Sequence, residues 1–405
     1  MDCVRYSCEI SVRLLYTSKP SQCHCFTSEM IRSSPVKGRG ASRNPDSRFL
    51  LYETELFDDG WNSLEEFLQT ELQVNPKTEL YPDKTRQIIT TNKSPDVPFD
   101  RSINPYKGCE HGCVYCYARP THAYLDLSPG LDFETKIFYK NGAVSRLREA
   151  FAKPTYICKP IAMGTNTDPY QPAEKKLEVT RELLKCFLEH KHPVSIVTKG
   201  SLILRDLDLL QELARHDLVS VALSITTLDN NLKAKLEPRT SSGAARLKVL
   251  KHLREVGITT GVLVAPIIPM LNDHEIETII EKSMGRGAQF ISYVLVRLPG
   301  EVAELFESWL QEHFPQQADR VMNRIREIHS GQTSSSEFGT RMRGSGMYAE
   351  MIRRRFETAK SKFSCINKEQ PDSSNEIAKP VVNADSNVVL RTDLFVRDTF
   401  EVPFF

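Results

Sequence analysis

Nothing in this chain approaches the run of ~20 apolar residues that crosses a membrane. Nor does it open on the apolar core of roughly 7–15 residues that marks a secretory leader. Charge of one sign is missing as well. The 53 Lys and Arg residues stand against 52 Asp and Glu, a formal net charge of +1. No global field therefore draws the protein to nucleic acid or lipid, and only a local basic patch would do so. A disulfide framework is absent too. The ten cysteines are spread over 405 residues, and those that cluster suit metal ligation better than cross-linking. A reducing cytoplasm is the expected compartment, with no membrane contact.

What is present is the composition of a globular chain, 40% hydrophobic and 26% charged, long enough for one large domain or two medium ones. Residues 1–45 lack periodicity and are rich in Ser, Arg and Cys, including Cys3, Cys8, Cys23 and Cys25. They read as a flexible tail; organelle import through such a tail is the weaker reading. Residues 46–100 form an N-terminal extension, with an amphipathic helix at 57–72 and an extended, proline-punctuated stretch at 81–101. The core runs from 101 to 300. Residues 301–363 read as a helical basic region, and 364–405 as a second flexible tail rich in Asn, Ser, Asp and Lys.

The organising stretch is NPYKGCEHGCVYCYARPTHAY at 104–124. It holds Cys109, Cys113 and Cys116 as Cys-x3-Cys-x2-Cys, with Gly108 and Gly112 each before a cysteine and Tyr115 and Tyr117 around the third. After it, apolar β-branched runs alternate with stretches of helical length. Strands are expected at 101–106, 160–165, 194–199, 219–226, 259–268 and 290–298. Helices are expected at 174–190, 203–215, 243–256, 273–286 and 301–313. The first of these helices sets Leu177, Leu184, Phe187 and Leu188 on one stripe. Such alternation predicts a parallel sheet wrapped by helices. Six units are fewer than the eight of a closed barrel, so the fold class is α/β, a partial (β/α)6 TIM-like barrel with N- and C-terminal extensions. Chemistry collects at the C-terminal strand ends of such folds. The polar residues there are Thr165, Asn166, Thr167 and Asp168, then Thr198 and Lys199, Ser224, Thr226 and Thr227, and Arg297.

Three thiols within eight residues point to a metal centre. A [4Fe–4S] cluster ordinarily takes four thiolates, so three leave one iron for another ligand. The rival is a zinc site completed by His111 or His122. Asp168 would otherwise be a turn residue before Pro169, Lys199 a solvated loop charge, and Cys186 a small buried hydrophobe. Arg297 suits a substrate phosphate or an acidic neighbour.

The Cys-x3-Cys-x2-Cys loop, with its aromatic at Tyr115 on the first strand of a partial barrel, resembles the radical S-adenosylmethionine (SAM) superfamily. GCEHGCVYCYARPTHAY, GTNTDPYQPAE, VTKG, LSITT and APIIP together resemble its spore photoproduct lyase branch, and within it a bacterial-type subfamily known by a Pseudomonas member. The resemblance implies an enzyme in which Cys109, Cys113 and Cys116 ligate a [4Fe–4S] cluster whose open iron chelates SAM. Reductive cleavage would then yield a 5′-deoxyadenosyl radical that takes hydrogen from a substrate. It implies catalytic-pocket roles for Tyr115 and Tyr117. It also implies SAM contacts from Thr165, Asn166, Thr167, Asp168, Lys199 and Ser224, and an electron donor such as flavodoxin or ferredoxin. The branch suggests nucleic acid as a substrate, with a basic patch of Arg341, Arg343, Arg353, Arg354 and Arg355; the alternatives are radical modification of a peptide, protein or small metabolite, and a non-enzymatic interaction module stabilised by zinc or a cluster. One departure stands out. Photoproduct lyases carry a cysteine immediately before the Thr of the second-strand motif, where this chain has Gly164; Cys158 lies at the wrong end of the strand. A tyrosine such as Tyr117 or Tyr170 could return the hydrogen instead, although nothing in the sequence requires it.

Overall fold

The computed structural model describes residues 38–49 apart from 43 and 46, then 77–366 and 388–397. The helix expected at 57–72 and most of both tails lie outside these residues. Ten strands are described: β1 (Glu79–Pro82), β2 (Thr90–Thr91), β3 (Arg101–Ile103), β4 (Tyr106–Lys107), β5 (Lys136–Tyr139), β6 (Ile161–Met163), β7 (Val194–Thr198), β8 (Val219–Ser224), β9 (Thr259–Ile267) and β10 (Phe290–Leu295). Seven form one sheet in the order β10-β9-β8-β7-β6-β3-β2. All pair in parallel except the short edge strand β2, which runs antiparallel to β3. The six parallel strands coincide with the six expected from the sequence, in chain order. This is the partial barrel.

Its central strands are apolar on both faces because both are covered. All six residues of β8 are buried, as a parallel strand between a helical layer and a filled interior requires. Helices Val179–Glu189, Leu207–Arg215, Gly243–Glu255 and Ile276–Met284 make the outer layer. The expected helix at 174–190 divides at Glu178, whose φ of 52° ends one turn and starts the next. The helix expected from 203 enters through a 3-10 turn, Ser201–Asp206.

Three features were not expected. Helix Ala143–Ala152 completes the first β/α unit, burying Ala143, Leu147 and Phe151 at the helical i, i+4, i+8 spacing. A second sheet, β1-β5-β4, stands beside the loop. The open side of the barrel is bridged by the segment 333–343. Leu295 N bonds Met342 O at 3.0 Å and Leu298 N bonds Thr333 O at 3.0 Å, while the Arg341 guanidinium pairs with Asp96 next to the opposite edge.

Both tails need correction. The segment 38–45 is not a free tail: it lies on the cysteine loop, so the boundary expected at 45 falls inside a packed arm. Residues 388–397 return to the barrel. Phe395 packs edge-on against Phe151 and His192, at 5.5 Å between ring centroids in each case, and Val396 N bonds His190 O at 2.8 Å. Among the described residues no helix is long and apolar enough to cross a membrane.

Candidate active site

The cysteine loop leaves β3, passes through β4 and turns back across the C-terminal end of the sheet. Its course is set by backbone bonds: Cys109 N to Phe133 O (2.9 Å), Val114 N to Leu236 O (3.1 Å) and Cys116 N to Cys113 O (3.2 Å). Arg119, fully buried, is the internal brace. Its Nε donates to Cys113 O at 2.9 Å, one terminal nitrogen to Pro129 O and Gly130 O, and the other to Glu134. A buried guanidinium needs a partner charge and hydrogen-bond acceptors; Glu134 supplies the charge, and each of the three nitrogens has an acceptor.

The arm at 38–41 seals this loop from outside. Gly40 N and Ala41 N donate to the two Glu134 carboxylate oxygens at 3.0 and 2.9 Å, and Arg39 donates to Glu134 O at 2.9 Å. Gly40 lies so close that a Cβ there would fall 1.7 Å from Gly112 O.

The three thiols are unbridged; Cys109 and Cys113 are buried and Cys116 half-buried. Burial pushes all three upward in pKa, Cys113 to about 12. They remain neutral unless a cationic centre takes the place of their protons, which is the donor set a cluster meets. Among the described residues no three His, Cys, Asp or Glu groups converge closely enough to hold one metal ion. His111 Nδ1 lies 3.3 Å from Asp168 Oδ2, and His122 Nε2 is 3.0 Å from Lys136 O.

The strand ends converge on this loop. Thr167 Oγ1 donates to Gly108 O at 2.7 Å. Gln171 donates to Gly108 O and accepts from Glu110 N. Thr165 Oγ1 and Asn166 N bond the Asn104 side chain. Asp168 is spent on the scaffold: it accepts from Thr198 Oγ1 (2.6 Å), Lys199 N (2.7 Å) and Tyr170 N (2.8 Å). Burial opposes its charge, but His111, Thr198 and Lys199 N outweigh burial and hold it below the usual carboxylate range.

Lys199 crosses the floor of the pocket. Its Nζ donates to Ser224 Oγ, Thr226 Oγ1 and Glu237 Oε1, each at 2.9 Å. Glu237, fully buried at the end of helix Asn230–Leu236, also accepts from Tyr115 Oη and Arg246. Burial works against its ionisation, yet Arg246 and Lys199 prevail and keep it charged well below the ordinary carboxylate pKa. Two cations around one carboxylate leave a net positive node under Tyr115. Tyr117 sits differently. It is 43% exposed, its hydroxyl donates to Thr165 O, and Arg297 covers its ring at 4.7 Å.

The structure therefore brings Cys109, Cys113, Cys116, Tyr115, Tyr117, Thr165, Asn166, Thr167, Asp168, Lys199 and Ser224 to one mouth. Sequence reasoning passed over Glu237, Arg246, Arg119 and Glu134. Each is a charge in a helical or loop stretch, where the sequence looks like any solvated face. The arginines of the expected basic patch are mostly neutralised locally: Arg341 by Asp96, Arg353 and Arg354 by Glu350, and Arg355 by Glu277. Arg343 lies over Tyr293 at 4.1 Å.

Comparison with known proteins agrees with this geometry. Residues 103–282 match the family model described as the radical SAM superfamily. An uncharacterized protein of Mycobacterium tuberculosis is 35% identical over 243 residues, covering 59% of this chain and 70% of that protein. One from Methanocaldococcus jannaschii is 29% identical over 255 residues, covering 62% of this chain and 90% of that one. Among solved structures, a spore photoproduct lyase variant with bound AdoMet and dinucleoside spore photoproduct superposes with a TM-score of 0.51 at 16% identity, covering 74% of this chain and 90% of that chain. A likeness at that identity is one of fold. Family, relatives and barrel lead to one conclusion: the chain belongs to the radical SAM superfamily, and is an enzyme whose cofactors are a [4Fe–4S] cluster and SAM.

Proposed function

We propose that this enzyme takes a hydrogen atom from a nucleic-acid substrate presented at the barrel mouth, and that it does not carry out thymine-dimer reversal by the lyase route. The cluster and SAM supply a 5′-deoxyadenosyl radical. The protein's residues hold, orient and shield. Cys109, Cys113 and Cys116 ligate the cluster. The positive node of Lys199, Glu237 and Arg246, with Ser224 beside it, receives the SAM carboxylate, a point charge meeting an anion. The 165–168 turn lines the SAM amino side, with Thr165 and Asn166 nearer the opening than Asp168, whose carboxylate serves the scaffold. Tyr115 is a positioning residue, clamped between Glu237 and Thr226. Tyr117 is the candidate hydrogen donor because it is exposed in the mouth; Tyr170 is 2% exposed and packed in the core.

The observation that carries this reading is the convergence of three unbridged thiols, two buried and one half-buried, on strand ends that already hold a cation. Two points bear on the substrate. The barrel superposes on a lyase whose structure holds a dinucleoside spore photoproduct. Gly164, however, has φ +96°, and a Cβ there would meet Val197 O at 2.2 Å. The backbone itself excludes the lyase cysteine, so a different product is expected. A flavodoxin or ferredoxin supplies the electron.

The test is anaerobic reconstitution with iron and sulfide, followed by dithionite and SAM. Release of 5′-deoxyadenosine is the expected result. A reconstituted four-iron protein that releases none would overturn the reading. Replacing any one of Cys109, Cys113 or Cys116 with Ala should remove both colour and turnover.

A further inference from the structure

Arg297 is the charged group in the mouth that the scaffold does not use. It follows β10 by two residues, and Val296 N still bonds Ile267 O at 2.9 Å, so the side chain starts from the C-terminal strand end. The guanidinium then lies over Tyr117, 4.7 Å from the ring centroid. Tyr117 directly follows a cluster cysteine, and its hydroxyl is tied to Thr165 O past the end of β6. Arg297 and Tyr117 thus form a lintel from the end of β10 at one edge of the sheet to the end of β6, the third strand from the other edge.

Every other cation named at the mouth has a carboxylate partner. Lys199 and Arg246 share Glu237, Arg119 has Glu134, and Arg341 has Asp96. Among the described residues Arg297 has no carboxylate within ion-pair distance and no hydrogen-bond partner; its contact is the ring. Burial lowers its pKa from the usual arginine value, and Arg341 lowers it further, against the weaker pull of Tyr117 and Asp96. Its donor fork is spent on no protein group and stays open to a ligand. The geometry such a fork matches is a bidentate anion, phosphate or carboxylate.

The surroundings favour phosphate. Arg341 covers Phe338 at 4.8 Å, and Phe338 is 57% exposed. Arg343 follows along the same seam beside β10. The exposed rings of Tyr117, under Arg297, and Phe338, under Arg341, suit a single strand, with a phosphate on the unpaired Arg297 and bases against the rings.

We propose that Arg297 binds a phosphodiester of a single-stranded nucleic-acid segment and thereby places the adjoining nucleotide beside Tyr117, over the cluster. This deepens the functional reading above and rests on it.

The experiment is fluorescence anisotropy of a fluorescein-labelled oligothymidylate with the reconstituted full chain, under argon, at two salt concentrations. Parallel measurements use oligoglutamate and SAM. Wild type should bind the oligothymidylate with an affinity that falls as salt rises. Arg297→Gln should weaken that binding roughly tenfold, the loss of one charge-assisted phosphate contact. Arg297→Lys should recover part of it. The exposed control Arg215→Gln should stay within about twofold of wild type, and SAM affinity of Arg297→Gln should match wild type, which also shows the variant to be folded. Equal binding by wild type and Arg297→Gln would overturn the proposal. So would equal affinity for oligoglutamate, which assigns a peptide carboxylate. Loss of SAM binding in Arg297→Gln would overturn it too, because Arg297 would then serve the SAM carboxylate. If wild type releases 5′-deoxyadenosine but binds no oligothymidylate, this inference falls while radical chemistry stands; if it releases none, the functional reading falls first.

Discussion

Replacing Gly40 with alanine should loosen the cluster while leaving the barrel folded. The added Cβ would stand 1.7 Å from Gly112 O, 2.8 Å from Gly112 C and 3.3 Å from Val114 N. All three are backbone atoms of the cysteine loop, so no side chain can swing aside. Either the loop shifts or the arm lifts. Forcing a methyl into a packed site costs about 1–3 kcal/mol when the surroundings relax. Lifting the arm forfeits two amide bonds to the Glu134 carboxylate, each worth roughly 1.5–3 kcal/mol as bonds to a charged group. The two routes meet near 3 kcal/mol, so the variant should fall by about that much. On a folded unit of this size that is a drop in Tm on the order of 4–5 °C. If oxygen reaches the cluster through openings of the arm, bleaching in air should quicken roughly tenfold for every 1.4 kcal/mol of arm binding lost. The assays are thermal unfolding by circular dichroism, iron and sulfide per chain, and decay of visible absorbance after exposure to air. A variant with wild-type Tm and wild-type bleaching would refute the idea that the arm seals the loop.

Three other outcomes follow from the same geometry. Glu237→Gln leaves Arg246 and Lys199 without their shared counter-charge and should cost about 3–5 kcal/mol, read by chemical denaturation. Glu237 and Asp168 both have folded pKa values below the ordinary carboxylate value. Their stabilisation is therefore fully present above about pH 4 and is lost as pH falls below it; Glu237→Gln should flatten the acid limb of a stability–pH curve, and an unchanged limb would contradict the assignment. Gly164→Cys puts a side chain on a positive-φ residue against Val197 O. It should destabilise by roughly 2–4 kcal/mol and yield no lyase activity; a well-folded variant that repairs spore photoproduct would show that the backbone does adapt. Phe395→Ala removes a ring packed on Phe151, Tyr156 and His192 and should cost about 1–3 kcal/mol, with faster proteolysis of the segment 388–397 as the second readout.

Much of this enzyme was legible without coordinates. Cys109, Cys113 and Cys116 sit within one turn-rich loop, so their spacing pointed to a metal centre, with a cluster and a zinc ion as the two readings. The six parallel strands were legible because each is a short apolar run covered on both faces, and such runs have no other comfortable place. Lys199 and Ser224 could be nominated because strand ends are where a β/α fold exposes polar groups. What the sequence left open is held together by distance along the chain. Glu237 meets Lys199 and Tyr115 from 38 and 122 residues away; Glu134 meets Gly40 and Ala41 from 94 and 93. No local pattern distinguishes such a buried charge from one on a wet helix face, because its partners are chosen only when the chain closes. The same holds for Asp168, whose place at a strand end suggested a ligand while its surroundings make it a brace. Gly164 shows both levels at once. The sequence says that a cysteine is absent; the backbone, with its positive φ against a neighbouring carbonyl, says that none would fit.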